Sequence, residues 1–125
     1  MSTIATNIAK VGTRIREAAQ AAERDPDEVL LLAVSKTQPA EAIREASEAG
    51  LHDFGENYLQ EALEKQAELA DLPLVWHFIG PIQSNKTKLI AEHFDWVHSV
   101  DRLKIAQRLS DQRPDHLPPL NLCLQ

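Results

Sequence analysis

Five short apolar runs recur along the chain, and their starts lie 20 to 26 residues apart. The runs occupy residues 29–34, 51–54, 74–79, 94–100 and 120–124. This spacing is about the length of one strand, one helix and two loops. Because strands that are joined through helices pair in parallel, the pattern predicts an α/β protein built around a parallel sheet.

The segments between the runs show helical periodicity and helix-start signals. Before the first run, apolar residues recur every three or four positions, which predicts an amphipathic helix that ends near Pro26. These apolar residues are Ile4, Ile8, Val11 and Ile15. Further helices are predicted after each of the first four runs, and Gly50 is expected to end the first of them. Their predicted N-terminal caps include Thr37, Ser84 or Asn85, and Asp101.

The composition is that of one globular domain over residues 1–125. With 13 Lys and Arg against 19 Asp and Glu, the net charge is −6, which disfavours nucleic acid as a partner. No apolar stretch resembles a secretory signal or a membrane span, so no membrane partner is expected. The single cysteine, Cys123, cannot form an internal disulfide, and a cytoplasmic protein is expected. The histidines lack the paired spacing of a metal site, so no metal is expected.

Two architectures are compatible with repeated strand and helix units. An open doubly wound sheet can be completed with about five strands, whereas an eight-unit barrel needs about 250 residues, so chain length alone favours the open sheet. The last apolar run reaches Gln125 without a polar tail, a pattern typical of a chain cut within a strand. We therefore expect the sequence to be part of a longer protein.

Lys36 follows directly after six largely apolar residues, an unusual place for a charged side chain. An amine at the mouth of a dry parallel core is poorly hydrated, and this favours the neutral form that attacks carbonyl groups. Lys36 is therefore a candidate Schiff-base lysine. Considered alone, the residue is better explained as the end of a strand whose lysine extends into solvent.

Two further loops carry polar groups at predicted strand ends, where parallel α/β proteins place their sites. Asn57 is suited to orient a ligand hydroxyl and Glu56 to act as a base, although Asn57 is an equally good helix cap. The helix start after Gly80 is suited to an anion but lacks a glycine-rich phosphate cradle. His77 lies within a predicted strand, where a hydrogen-bonded core histidine is the commoner role. The glutamates at helical spacing, including Glu61, are predicted to lie on solvated faces.

Three strings in order resemble the pyridoxal phosphate homeostasis protein family: LAVSKT at 32–37, FGENY at 54–58 and WHFIG at 76–80. The similarity extends essentially over residues 3–125. It implies a (β/α)8 TIM barrel of the alanine racemase N-terminal-domain type, and with it the cofactor pyridoxal 5′-phosphate (PLP), a form of vitamin B6.

The same resemblance assigns roles to individual residues. It implies that Lys36 carries PLP as a Schiff base and that Asn57 and His77 are cofactor-binding residues, with no catalytic residue. Gln38 departs from some relatives, which have a second lysine there, so a relay of the cofactor through this position is not expected. Family members bind and buffer PLP or pass it to apoenzymes without established turnover, so PLP and PLP-dependent apoenzymes are the expected partners. A PLP-dependent amino-acid racemase and a cofactor-free Schiff-base aldolase remain alternative functions.

Compared with the family, the chain is expected to hold the first half of the barrel: the N-terminal helix, four βα units and a fifth strand. Phosphate-binding residues are expected beyond Gln125, because barrels of this kind hold phosphate after strands seven and eight. A full-length member is expected to be a monomer. The half barrel, with two open strand edges, is expected to bind PLP weakly and to self-associate.

Overall fold

The structure, a computed structural model, describes residues 3–125 as a parallel sheet packed against helices. The five strands of the described chain are β1 (Ala33–Val34), β2 (Asp53–Glu56), β3 (Val75–Phe78), β4 (Trp96–Val100) and β5 (Asn121–Leu124). Its five α-helices are α1 (Thr3–Ala21), α2 (Ala40–Glu48), α3 (Leu59–Glu68), α4 (Thr87–His93) and α5 (Leu103–Gln112). Short 3-10 helices cover Pro26–Glu28 and Ser84–Lys86.

The strands lie side by side in chain order, and every neighbouring pair is parallel. A doubly wound sheet reverses its direction of growth at a switch point, and this sheet does not. The open doubly wound sheet that chain length alone favours is therefore wrong. Growth in one direction is the winding of a β/α barrel, so the barrel-type α/β fold is confirmed for the portion that this chain provides.

Each predicted strand is present, although its ends are shifted. In the first run, only Ala33 and Val34 form strand pairs. β1 has β2 as its one neighbouring strand in the described chain, and the ladder between them begins where Ala33 lies opposite Phe54. β2 extends two residues beyond its predicted end, because the ladder with β3 continues until Glu56 lies opposite Phe78. The shift in β2 brings a charged residue into the sheet.

The two faces of the sheet differ in character, because successive side chains of a strand point to opposite sides. Large side chains of the helix face pack into a buried core with apolar residues of all the helices except α1, which contributes partly buried ones. The strand residues in this core are Phe54, Trp76, Phe78, Val97 and Val100. The open face carries the alternate residues, among them His77, which lies opposite Gly55 on one side and Trp96 on the other.

The predicted start of α2 at Thr37 is wrong, although its predicted end is confirmed. α2 begins at Ala40, and the residue at its N-cap is Pro39. Thr37 instead has a φ of 65°, and its backbone N–H donates a hydrogen bond to Glu61 Oε1 at 2.7 Å. Gly50 follows the end of the helix with a φ of 104°, a conformation in which glycine is not strained.

The predicted caps of the later helices are displaced as well. Arg102, rather than Asp101, precedes α5, and its side chain makes no capping hydrogen bond. Ser84 and Asn85 lie within the 3-10 helix that leads into α4. Neither helix has a capping hydrogen bond from the expected side chain, so the cap signals locate these helices to within a few residues only.

Arg113 joins the end of α4 to the chain that leads into β5. Its guanidinium Nη1 donates to the carbonyl oxygens of Ala91 and Phe94 at 2.7 and 2.6 Å, and Nε donates to the carbonyl oxygen of Pro118 at 2.9 Å. This arrangement uses the fork geometry that lysine lacks.

We expect Arg113→Lys to lower the free energy of unfolding by about 1–2 kcal/mol, because at least one charge-assisted hydrogen bond is lost. Urea denaturation measures the change. Arg102→Lys is the control, since Arg102 faces only Asp101 at 3.8 Å and both side chains are more than half exposed. Equal stability of the Arg113→Lys variant and the parent chain would contradict the assigned contacts.

Candidate functional site

The loops that follow β1, β2 and β3 meet at the carboxyl ends of the strands. The backbone N–H of Ser35 donates to the carbonyl oxygen of Gly55 at 2.9 Å, and the N–H of Ile79 donates to that of Glu56 at 2.9 Å. These bonds extend the ladders past the last paired residues. They place Lys36 of the first loop and Asn57 of the second at one edge of the sheet, which is where β/α barrels carry their sites.

Lys36 is exposed at this edge, and within residues 3–125 its amine has no hydrogen-bond partner. The structure matches the lysine that extends into solvent from the end of a strand, and it differs from the expectation of an amine shielded from water. The reason is the position of β1, which has a neighbouring strand on one side only in the described chain. The amine is therefore accessible and uncommitted, without being dehydrated.

Asn57 presents a buried acceptor that the described chain leaves unsatisfied. Its Oδ1 atom is inaccessible to solvent and has no hydrogen-bond partner. The alternative role as helix cap is wrong, because Tyr58 occupies the N-cap of α3. An unsatisfied buried acceptor costs free energy unless a donor reaches it. The Oδ1 atom of Asn57 is therefore an acceptor that lacks a donor within the described chain.

Gly80 packs directly against the Asn57 backbone. A Cβ atom at position 80 would lie 2.7 Å from both Asn57 Cβ and Asn57 O, so only glycine fits there. The hydroxyl of Ser99 also donates a hydrogen bond to the carbonyl oxygen of Gly80. The first contact packs the loop after β3 against the loop that carries Asn57, and the second ties it to β4.

His77 lies at the centre of a hydrogen-bonded chain on the open face. Its Nε2 is 2.9 Å from Asp53 Oδ1, and its Nδ1 is 2.8 Å from His98 Nε2. The ring also stacks on Trp96, with centroids 5.6 Å apart and planes 9° from parallel. In the tautomer that lets the Asp53 carboxylate accept, His77 donates from Nε2, and its Nδ1 accepts from the Nε2–H of His98.

His77 is therefore engaged through both ring nitrogens, and its side chain is 3% exposed. It matches the hydrogen-bonded core histidine that the sequence indicates as the commoner role. Burial, and then the nearby His77, lower the pKa of His98 below its ordinary value of 6.5. This direction agrees with a neutral His98 that donates to His77.

Glu56 lies on the helix face and is fully buried, which makes its predicted role as a general base wrong. Its carboxylate is 3.1 Å from the Nζ atom of Lys65 and accepts a hydrogen bond from the Ser35 hydroxyl. Glu61, predicted to face solvent, is instead 2.7 Å from the same Nζ. The hydrogen bond from Lys65 is the main reason that the pKa of Glu61 is lowered, and the Thr37 N–H adds to it.

Lys65 is the functional candidate that the sequence analysis missed. The signal was present, because Lys65 stands three residues after Ala62 and four before Leu69, both of which are buried in the core. A lysine on the buried face of an amphipathic helix needs an anionic partner. The partner, Glu56, lies nine residues earlier in a strand, a pairing that periodicity alone does not reveal.

The loop after Gly80 lines a cavity of about 450 Å³ together with the start of α3. Asn57, Gln83 and Lys86 provide its polar groups, and Phe78 and Ile90 belong to its apolar wall. The described residues contain no group of three or more metal-ligating side chains. None of the helices traced between residues 3 and 125 has the length and apolarity to cross a bilayer.

We expect Gly80→Ala to lower the free energy of unfolding by about 1–3 kcal/mol, because the added methyl group meets the Asn57 backbone. Gly12→Ala serves as the control, since its Cβ would come no closer than 3.6 Å to the Arg16 side chain and alanine favours a helix. Denaturation with urea measures both. A Gly80→Ala chain as stable as its parent would refute the close packing of the two loops.

We expect stability to fall as the pH decreases below 6.5, because folded His98 resists protonation more than unfolded histidine does. The contribution is fully present above pH 6.5 and is lost as the pH falls through the lowered pKa of the folded state. His98→Gln, which stays neutral, should reduce this decline when urea midpoints are compared between about pH 7.5 and 5.5. His116→Gln at an exposed position should leave the decline as steep as before.

Comparison with known proteins gives concordant matches along the chain. Residues 6–125 match the family model described as alanine racemase, N-terminal domain. A Pseudomonas aeruginosa protein named pyridoxal phosphate homeostasis protein is 82% identical over 125 residues, which cover 100% of this chain and 54% of that protein. The Escherichia coli protein of the same name is 56% identical over 128 residues, with 100% and 55% coverage. The chain thus spans about half the length of these relatives.

Solved structures match the fold. PipY of Synechococcus elongatus, solved with PLP bound, aligns with a TM-score of 0.66 and 52% identity over 78% of this chain and 46% of PipY. PipY without PLP aligns with a TM-score of 0.69 and 45% identity over 89% of this chain and 58% of PipY. A protein of Bifidobacterium adolescentis gives a TM-score of 0.77 at 30% identity, over 87% of this chain and 49% of that one.

Proposed function

The chain belongs to the alanine racemase N-terminal domain family, and from this membership we propose that it binds pyridoxal 5′-phosphate and serves PLP homeostasis in the cytoplasm. Two of its relatives are named for that role, and PipY has been solved with PLP bound. The observation that carries the proposal for this chain is the exposed, uncommitted amine of Lys36 at the carboxyl end of β1.

The residues at this edge suit an aldehyde cofactor that also carries a hydroxyl group. Lys36 would hold the aldehyde as a Schiff base, a condensation in which one C=N bond forms and one water leaves without any oxidant. The orphaned Oδ1 of Asn57 would accept a hydrogen bond from the hydroxyl. His77, engaged by Asp53 and His98, would support the floor of the site through the open face. The cofactor itself supplies an aldehyde for reversible exchange.

We propose a carrier rather than an enzyme. Turnover of an amino acid needs a free acid or base beside the substrate Cα. Among the candidates at the site, His77 is engaged at both nitrogens and Glu56 is buried with Lys65. Tyr58, the remaining candidate, lies at the N-cap of α3 and is 54% exposed to solvent. Exchange of Cα deuterium by the PLP-loaded chain would favour the racemase-like alternative, and condensation with carbonyl substrates in the absence of PLP would favour the aldolase.

We expect Lys36 to be the principal site of PLP attachment. The chain is incubated with PLP, reduced with borohydride and mapped by mass spectrometry, and Lys36→Ala should remove most of the label because the other exposed lysines lack a fixed position at the site. Lys104→Ala, an exposed control on α5, should label like the parent chain. Label scattered over surface lysines and unchanged by Lys36→Ala would overturn the proposal.

A further inference from the structure

We propose that Lys65 and Glu56 are positioning residues, a buried ion pair that holds the backbone on both sides of Lys36 and so fixes where its amine emerges. The inference rests on the proposed function of Lys36. Neither residue is placed against the cofactor, because both are buried on the helix side of the sheet.

Burying an ion pair costs free energy, and here the Lys65 amine has a hydrogen-bond or ion-pair partner on several sides. Glu56 is 0% and Lys65 6% exposed. The Nζ atom lies 2.7 Å from the carbonyl oxygen of Ser35, 2.7 Å from Glu61 Oε1, and 3.1 Å from each carboxylate oxygen of Glu56. Replacing such a pair with apolar residues is often neutral or stabilising, so a buried ion pair is weak evidence for stability alone. The hydrogen-bond partners of the pair indicate a second role, in holding the loop that carries Lys36.

Both residues that flank Lys36 are tied to this cluster. On one side, the Ser35 carbonyl accepts from Lys65, and the Ser35 hydroxyl donates to Glu56. On the other side, the Thr37 N–H donates to Glu61 Oε1, which Lys65 also contacts. The backbone of Lys36 is thus held between two anchored neighbours, whereas its side chain is free.

The conformation of Thr37 shows that the cluster imposes a shape on the loop. A φ of 65° is uncommon for a β-branched residue, and such a strained conformation persists only where surrounding contacts hold it. The Thr37 hydroxyl donates a local hydrogen bond to the Lys36 carbonyl oxygen, and the contact that ties the residue to the rest of the fold is the hydrogen bond from its N–H to Glu61. Without Lys65 to hold Glu61, we expect the loop to relax to ordinary backbone angles.

Burial explains how the ion pair governs an exposed amine without touching it. Ser35 is 4% exposed, next to Val34, which is 52% exposed. Lys36 lies in the turn beyond β1 and is exposed, so the groups that hold the loop are buried while the amine that it presents is in solvent. Displacing an attacking group by about 1 Å can cost about a hundredfold in rate.

The test uses the 125-residue chain and the double variant Lys65→Met with Glu56→Gln, which removes the two most deeply buried charges and leaves only Glu61, 32% exposed, without its cation. The rate of borohydride-trapped PLP attachment at Lys36 should fall at least about tenfold, with label shifted to other lysines. In the absence of PLP, the Thr37 N–H should exchange with deuterium faster. Ile105→Val, a core change in α5, controls for lost stability and should leave both readouts unchanged.

The outcomes separate the two proposals. If the parent chain labels Lys36 and the double variant does so at the same rate, with Thr37 equally protected, the positioning role is wrong and the proposed function stands. If the parent chain does not label Lys36, the proposed function is wrong and the inference falls with it. If the double variant does not fold, Glu61→Ala decides by the same two readouts, since the Glu61 side chain is 32% exposed and tolerates removal.

Discussion

The packing of the helices against one face of a parallel sheet determines where each polar group of this chain can lie. Apolar side chains of β2, β3 and β4 enter the helix-side core, so any charged residue that shares their register must find a partner there. Glu56 is such a residue, opposite Phe78 in the ladder, and Lys65 of α3 is its partner. On the open face no helix supplies partners among the described residues, and His77 instead bonds Asp53 and His98 within the sheet.

These two polar networks affect different parts of the fold, because one lies within the strands and the other at their carboxyl ends. The histidine chain lies within β2, β3 and β4, and it organises the floor of the open face. The Glu56 cluster lies at the carboxyl ends of β1 and β2, and it reaches into the loop that carries Lys36. A fold of repeated βα units places its strand ends together at one edge, so a buried charge there acts on functional loops. The same charge in mid-strand would affect packing alone.

The sequence predicts the order and type of every strand and helix, because apolar spacing reports burial directly. It does not predict which residue starts each helix. Thr37 is a residue type that commonly caps helices, but its backbone N–H donates to Glu61, 24 residues further along the chain in α3. Lys36 and Asn57 are placed at one sheet edge as expected, since strand ends are readable from the apolar runs. The roles of Glu56 and Lys65 are not predictable in this way, because an ion pair across the helix and sheet layers depends on register and helix rotation.

Six lysines occur in the chain, and exposure does not single out Lys36 among them. Lys10, Lys86, Lys88 and Lys104 are exposed as well. What distinguishes Lys36 is that both of its neighbours are hydrogen-bonded to charged groups of the Lys65 cluster while its own amine is not, so the backbone is ordered before any ligand arrives. Pre-ordering of this kind lowers the entropy lost on binding and raises the effective concentration of the amine at one place. We therefore expect selectivity for Lys36 to come from its fixed backbone position and not from shielding of its amine.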